Sequence, residues 1–265
     1  MARSNKKRIG IVSEVAGRYD QHFSNRQRKL VESIKFDDNI DIVFENAPIL
    51  SASDNAGLAY AGGDAKTVSV SIDGERFELT NIGAKTIISP VQLVGGLNVA
   101  MDLTDNEGCE LNNGSLPNSP AAFVVGSGGY DYVAECTVTI ADVSGTDDCI
   151  FGMRKAESHQ AAVDNYDEMA GLNVISGAVK AETILNGGGT STSATLATVA
   201  DGGSVTLRVV VRNAGVVEFY VDGTHASSVV YSFDDAEVIV PFFSFLHATT
   251  SPGAITLSSW KAGKY

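Results

Sequence analysis

Residues 204–223 read SVTLRVVVRNAGVVEFYVDG, and few folds accommodate such a stretch. Two runs of β-branched and alternating residues are separated by Asn213-Ala214-Gly215 and closed by Asp222-Gly223. Period-two alternation sends successive side chains to opposite faces, as in a strand with one buried side. Asp-Gly supplies the positive φ that a tight hairpin turn needs. In this reading Phe219 and Val221 share one face and Tyr220 occupies the other.

The pattern extends on both sides. AAFVVG, YVAECTVTIADV, DDCIFGMRKA, EMAGLNVIS, VKAETILN, EVIVPFFSFLHA and AITLSSWKAG are rich in Val, Ile, Thr and Phe and are bounded by Gly, Asn and Asp. EVIVPFFSFL is apolar almost throughout, which suits a central strand covered on both faces, with Pro241 at a bulge or strand end. Residues 120–265 therefore read as an antiparallel β-sandwich. Shorter strands precede it, including VSVSIDGERFEL, two alternating runs joined at Asp73-Gly74. Between them TDNEGCELNNGSLPNSP, dense in Asn, Gly, Ser and Pro, reads as a long loop and a boundary. The expected division is a basic arm over 1–35, a small β-rich docking region over 36–119 and the sandwich over 120–265. No internal repeat points to a solenoid or propeller.

Charge is divided unevenly. Residues 1–35 carry nine Lys/Arg against three acids, +6, and the remainder ten against 29, −19, giving the net −13. A basic arm on an acidic body binds acidic surfaces, and Arg3, Lys6, Lys7, Arg8, Arg18, Arg26, Arg28 and Lys29 are its candidate contacts. A short amphipathic helix is expected over 25–34, where Leu30, Val31 and Ile34 share a side. Tyr19 and Phe23 are the arm's only stacking groups, and the acidic body repels phosphate, so nucleic acid is not the expected partner. No run reaches the roughly 20 apolar residues that span a bilayer. IGIV is too short for a signal-peptide core, so folding in a cytoplasm is expected. Cys109, Cys136 and Cys149 form no CxxC pair and read as reduced, structural thiols.

The 206–223 stretch resembles the central hairpin of concanavalin A-like and laminin-G-like jelly rolls. Thr206, Leu207, Val209, Val211, Gly215, Val217, Phe219, Tyr220, Asp222 and Gly223 carry the likeness. AITLSSWKAG resembles the closing strand of that fold, which implies that Trp260 packs on the core. The whole chain, with its basic arm, β-rich middle and a jelly roll opened by PAAFVVGSGGYDYVAECTVTIADVSG, resembles structural proteins of tailed-bacteriophage particles. The resemblance implies an all-β, non-enzymatic virion protein of the capsid-decoration type, assembled in the host cytoplasm and displayed on the capsid surface. The implied partners are the major capsid protein or other virion proteins and further copies of the chain. The alternative it carries is a carbohydrate-binding module or adhesin of a tail or fibre that contacts a host-surface glycan, with a glycan-degrading enzyme ranked last.

Candidate chemistry is sparse. A glycosidase on such a sandwich needs two carboxylates facing each other across a groove, and the nearest set, Asp164, Asp167 and Glu168, reads as an acidic turn. Asp147, Asp148, Asp164 and Asp167 are the candidate ligands of a Ca²⁺ ion, since hard cations take carboxylate oxygens on loops; no other cofactor is expected. Tyr130, Tyr132, Asn165 and Tyr166 are the candidate glycan contacts, against the plainer reading of buried tyrosines. The four histidines are scattered, and the glycine-rich segments GSGGYD and GGDAK lack a phosphate loop's context.

Overall fold

The computed structural model describes residues 40–43, 49–50, 66–72, 75–83, 91–93, 96–98, 105–113, 122–226, 228–247 and 254–264. The basic arm, its expected helix and the eight candidate arm contacts lie outside the described residues. Residues 38–265 form one compact unit. The strands are β1 (Ile40–Val43), β2 (Ile49–Leu50), β3 (Lys66–Ile72), β4 (Glu75–Ile82), β5 (Val91–Leu93), β6 (Gly96–Asn98) and β7 (Gly108–Asn112). They continue as β8 (Phe123–Val124), β9 (Tyr132–Ile140), β10 (Thr146–Lys155), β11 (Met169–Ile175), β12 (Ala178–Ile184), β13 (Ser191–Thr192) and β14 (Ala197–Thr198). Last come β15 (Gly203–Val211), β16 (Val217–Val221), β17 (Thr224–His225), β18 (Val238–His247) and β19 (Ile255–Lys264).

Two antiparallel sheets face each other in an all-β jelly-roll sandwich. The smaller runs β17-β16-β15-β9-β19-β6-β5, with β1 also on β19; the larger runs β13-β12-β11-β10-β18-β7-β4-β3-β2, with β14 on β12 and β8 on β18. The inward residues of β9 (Ala134, Cys136, Val138, Ile140) and β15 (Leu207, Val209, Val211) meet those of β10 (Cys149, Phe151, Met153) and β18 (Phe243, Phe245). Trp260 is fully buried there, edge-on to Phe77 at 5.4 Å and to Phe151 at 5.1 Å. All three cysteines are buried and free, and burial pushes the Cys109 thiol up to about 12.

The structure corrects the expected division at 119–120. β7 lies inside the stretch that reads as a loop; it pairs with β4 on one side and β18 on the other, and all five of its residues are buried. Phe77 and Leu79 of the middle region share one core cluster with Trp260. The middle strands thus widen both sheets of the sandwich and form no separate docking domain. Pro241 is likewise not at a strand end. It lies within β18, between the residues that pair with β8 (Val238, Ile239) and those that pair with β7 (from Phe242), where that edge has no neighbour and a missing N–H is tolerated.

Turn chemistry follows the sequence. Asp222 and Gly223 both have positive φ, 49° and 77°, as the β16–β17 hairpin requires. Trp260→Ala is expected to cost about 3–5 kcal/mol, because the cavity would open between both sheets. Urea unfolding followed by far-ultraviolet circular dichroism measures it; a loss below about 1 kcal/mol would mean that the ring is not part of the shared core.

Candidate functional site

Polar side chains gather at two places, one on the outer face of each sheet. On the smaller sheet the alternation of β9 and β15 that buries Cys136 and Leu207 turns Glu135 and Arg208 outward. Register then aligns one row across five strands: Lys261 opposite Glu135, Glu135 opposite Arg208, Arg208 opposite Tyr220, and Tyr220 opposite His225. Arg208 donates to Glu135 Oε2 through Nε at 2.5 Å and also pairs with it through Nη2; Lys261 Nζ lies 3.3 Å from Glu135 Oε1. The Arg208 guanidinium stands 5.9 Å from the Tyr220 ring centroid, and the Tyr220 and His225 rings are 5.0 Å apart.

The neighbouring row is low. Gly263, Val133, Val210 and Glu218 face each other there, and Gly263 contributes no side chain. Beyond it Arg212 donates to Glu218 through Nε at 2.9 Å and Nη2 at 2.7 Å, and to Asp131 through Nη1 at 2.7 Å. The result is a depression of about 260 Å³ with a floor of Val133 and Val210 and walls of Glu135, Arg208, Lys261, Tyr220 and Arg212. Glu218 is held below the usual carboxylate range by its hydrogen bonds from Arg212 and Tyr220. The Tyr220 hydroxyl, which donates to Glu218 at 2.7 Å, is raised by that bond. The carboxylates here are acceptors already engaged, and the cations keep donors to spare.

The second gathering lies on the outer face of the larger sheet, under residues 156–168. Val163 and Tyr166 from this segment pack on Ile150, Met169, Ile184 and Phe242. Glu110 of β7 lies beneath, 1% exposed, and Arg154, 0% exposed, pairs with it at 2.7 Å. Tyr166 donates its hydroxyl to Glu110 Oε2, Asn112 Nδ2 donates to Oε1 at 2.8 Å, and His159 Nδ1 lies 3.5 Å away. The Arg154 guanidinium lies 4.5 Å above the Tyr166 ring and donates to the backbone oxygens of Lys155 and Glu157. Burial alone would raise the Glu110 carboxyl, but Arg154, His159 and Tyr166 together hold it well below its ordinary value. Burial pushes the Tyr166 hydroxyl far up, so it stays a donor. This arrangement clasps the covering segment to the sheet. Farther along the same sheet Asn173 Nδ2 donates to Asp148 at 2.9 Å and to Glu182 at 2.8 Å.

The sequence-level candidates do not come together. Tyr132 is 2% exposed, stacked on Phe123, with its hydroxyl on the Val124 carbonyl, and Tyr166 is in the clasp. Tyr130, 51% exposed, has Lys264 Nζ 5.7 Å from its ring centroid, whereas Asn165 is exposed on the far sheet's covering segment. The proposed glycan cluster is therefore two buried core tyrosines and two separated surface residues. The described acids also diverge: Asp148 on β10 accepts from Asn173, Asp167 pairs with Lys155 at 2.7 Å, and Asp164 accepts from Thr190. Among the described residues no group of three or more His, Cys, Asp or Glu is placed to hold a metal ion, and Asp148, Asp164 and Asp167 do not gather into the expected Ca²⁺ site; the Asp147 side chain lies outside what is described. Among the described residues, too, no helix is long and apolar enough to cross a membrane. Sequence reasoning missed Glu110 because its strand is wrapped in loop-like residues. It missed the Glu135–Arg208–Tyr220–Lys261 row because register between distant strands is not written locally, although outward alternation in CTVTI and TLRVVV was the available signal.

No known family model matches the chain, and no curated protein matches it. Among solved structures it is similar to lectin II from Ulex europaeus, at 11% identity and TM-score 0.46, over 87% of this chain and 99% of that one. It is similar to a protein of unknown function from Shewanella oneidensis, at 12% and 0.45, over 91% and 95%. It is also similar to an alginate lyase from Pseudomonas aeruginosa, at 15% and 0.44, over 68% and 88%. At such distances the functional reading rests on this chain's own residues.

The clasp makes a definite prediction about acid. Because the folded Glu110 carboxyl is held below its ordinary value of 4.5, its contribution is full above about pH 4.5 and is lost as pH falls through the lowered value. Glu110→Gln leaves Arg154 buried without its counter-charge and is expected to cost about 3–5 kcal/mol at neutral pH, with a smaller deficit in acid. Urea titrations at pH 7 and pH 3 measure this; equal stability of both proteins at pH 7 would refute the clasp.

Proposed function

We propose that this chain is a non-catalytic saccharide-binding β-sandwich and that the sugar lies on the outer face of the smaller sheet. The observation that carries the reading is the depression floored by Val133 and Val210 beside the row Lys261–Glu135–Arg208–Tyr220. A pyranose offers an apolar C–H face and a rim of hydroxyls. An apolar floor with an aromatic ring at its edge takes the first, and fixed charged donors and acceptors take the second. Strands hold all of these groups in one register, so little ordering is needed on binding.

This is the carbohydrate-binding or adhesin role that the sequence carries as its alternative, and it takes precedence over capsid decoration. Decoration draws on the arm of residues 1–35, whereas the depression is a built surface with its donors in place. The second polar cluster supports a binding role over hydrolysis: Glu110 is enclosed by Arg154, Tyr166 and Asn112, leaving no open acid–base pair there.

Glycan-array screening of the full chain, followed by calorimetry on the best ligand, tests the reading. The expected result is saccharide binding that Tyr220→Ala weakens by about tenfold, the loss that follows from one ring contact, with no reducing ends released. Binding that Tyr220→Ala leaves unchanged, or none across the array, would overturn it.

A further inference from the structure

Building on the saccharide reading, we infer that the depression on the smaller sheet selects an acidic saccharide, one whose rings carry carboxylates. Donors and acceptors are out of balance on this face. Three of the ten Lys/Arg in residues 36–265 line this one depression, although that region carries 29 acids. The carboxylates among them are already engaged: Glu135 by Arg208 and Lys261, Glu218 by Arg212 and Tyr220, Asp131 by Arg212 and the Asn213 backbone N–H.

The cations are less fully used. Arg208 has five N–H donors; its Nε and Nη2 meet Glu135, and its Nη1 has no partner among the described residues. Lys261 has three donors and meets Glu135 at 3.3 Å. Both side chains are 42% exposed, so their remaining N–H groups reach a ligand without breaking the row. A face with spare cationic donors, whose carboxylates are already held, favours a ligand rich in acceptors and poor in donors. A neutral sugar hydroxyl brings a donor with its two acceptor lone pairs, whereas a ring carboxylate only accepts and forms charge-assisted bonds to guanidinium and ammonium groups. The acidic remainder of the body repels such a ligand elsewhere, which confines it to this island.

The experiment is calorimetric titration of the full chain with an oligogalacturonate and with its fully methyl-esterified form, at low and at moderate NaCl. The expected result is that the free acid binds at least about tenfold tighter than the ester, that its affinity falls as NaCl rises, and that Arg208→Gln and Lys261→Gln each abolish most of the difference. Near-ultraviolet circular dichroism of the variants confirms that they retain the native fold. Equal binding of acid and ester would overturn the acidic preference and leave the saccharide reading standing. Failure of both, together with an empty neutral-glycan array, would overturn the two together.

Discussion

The position of β9 between β15 and β19 is the constraint on which the rest of the molecule depends. Glu135 pairs across the ladder with Arg208 on one side and Lys261 on the other, and Cys136 beside it pairs with Leu207 and Trp260. Since side chains alternate with a period of two, one residue of slip would carry Glu135 into the core and Cys136 out to solvent. The burial of Trp260 against both sheets and the row of charges outside are two consequences of one register. Apolar packing sets that register, and the outer face inherits its geometry without having to organise it.

The two outer faces have been finished differently. On the larger sheet, residues 156–168 cover the surface, and the buried Glu110–Arg154 pair, with Tyr166 above it, ties them down. Burying two charges is costly, and their attraction repays it only when the other donors and acceptors are met. Asn112, Tyr166 and the carbonyls of Lys155 and Glu157 meet most of them. On the smaller sheet, among the described residues, no such segment lies over Arg208 and Lys261, which stay substantially exposed. Their shared partner Glu135 is itself buried, so the row ties three strands together as well as presenting two cations to solvent.

Much of the sandwich was legible in the sequence, and the reasons are local. SVTLRVVV and VEFYVDG declare strand and turn through alternation and through the φ that Asp222 and Gly223 adopt, and the likeness to a jelly roll's closing strand placed Trp260 in the core. GCELN was not legible, because its flanks are Asn, Gly, Ser and Pro and only pairing with β4 and β18 makes it a buried central strand. That misreading hid Glu110 and turned one sandwich into two expected domains. The tyrosines at 130, 132 and 166 lie near acids in sequence, but strand alternation and the covering segment send them to three different surroundings. The polar row on the smaller sheet was illegible for a different reason. Glu135 and Arg208 are separated by 73 positions, and only the assembled sheet brings them together.

The proposed saccharide site is defined by the face that meets the sugar. Backbone and side-chain NMR shifts of the isotope-labelled full chain, followed during titration with an oligogalacturonate, locate it directly. The predicted footprint is confined to Val133–Glu135, Arg208–Arg212, Tyr220 and Lys261. A footprint centred on residues 156–168, or shifts scattered without a site, would contradict it.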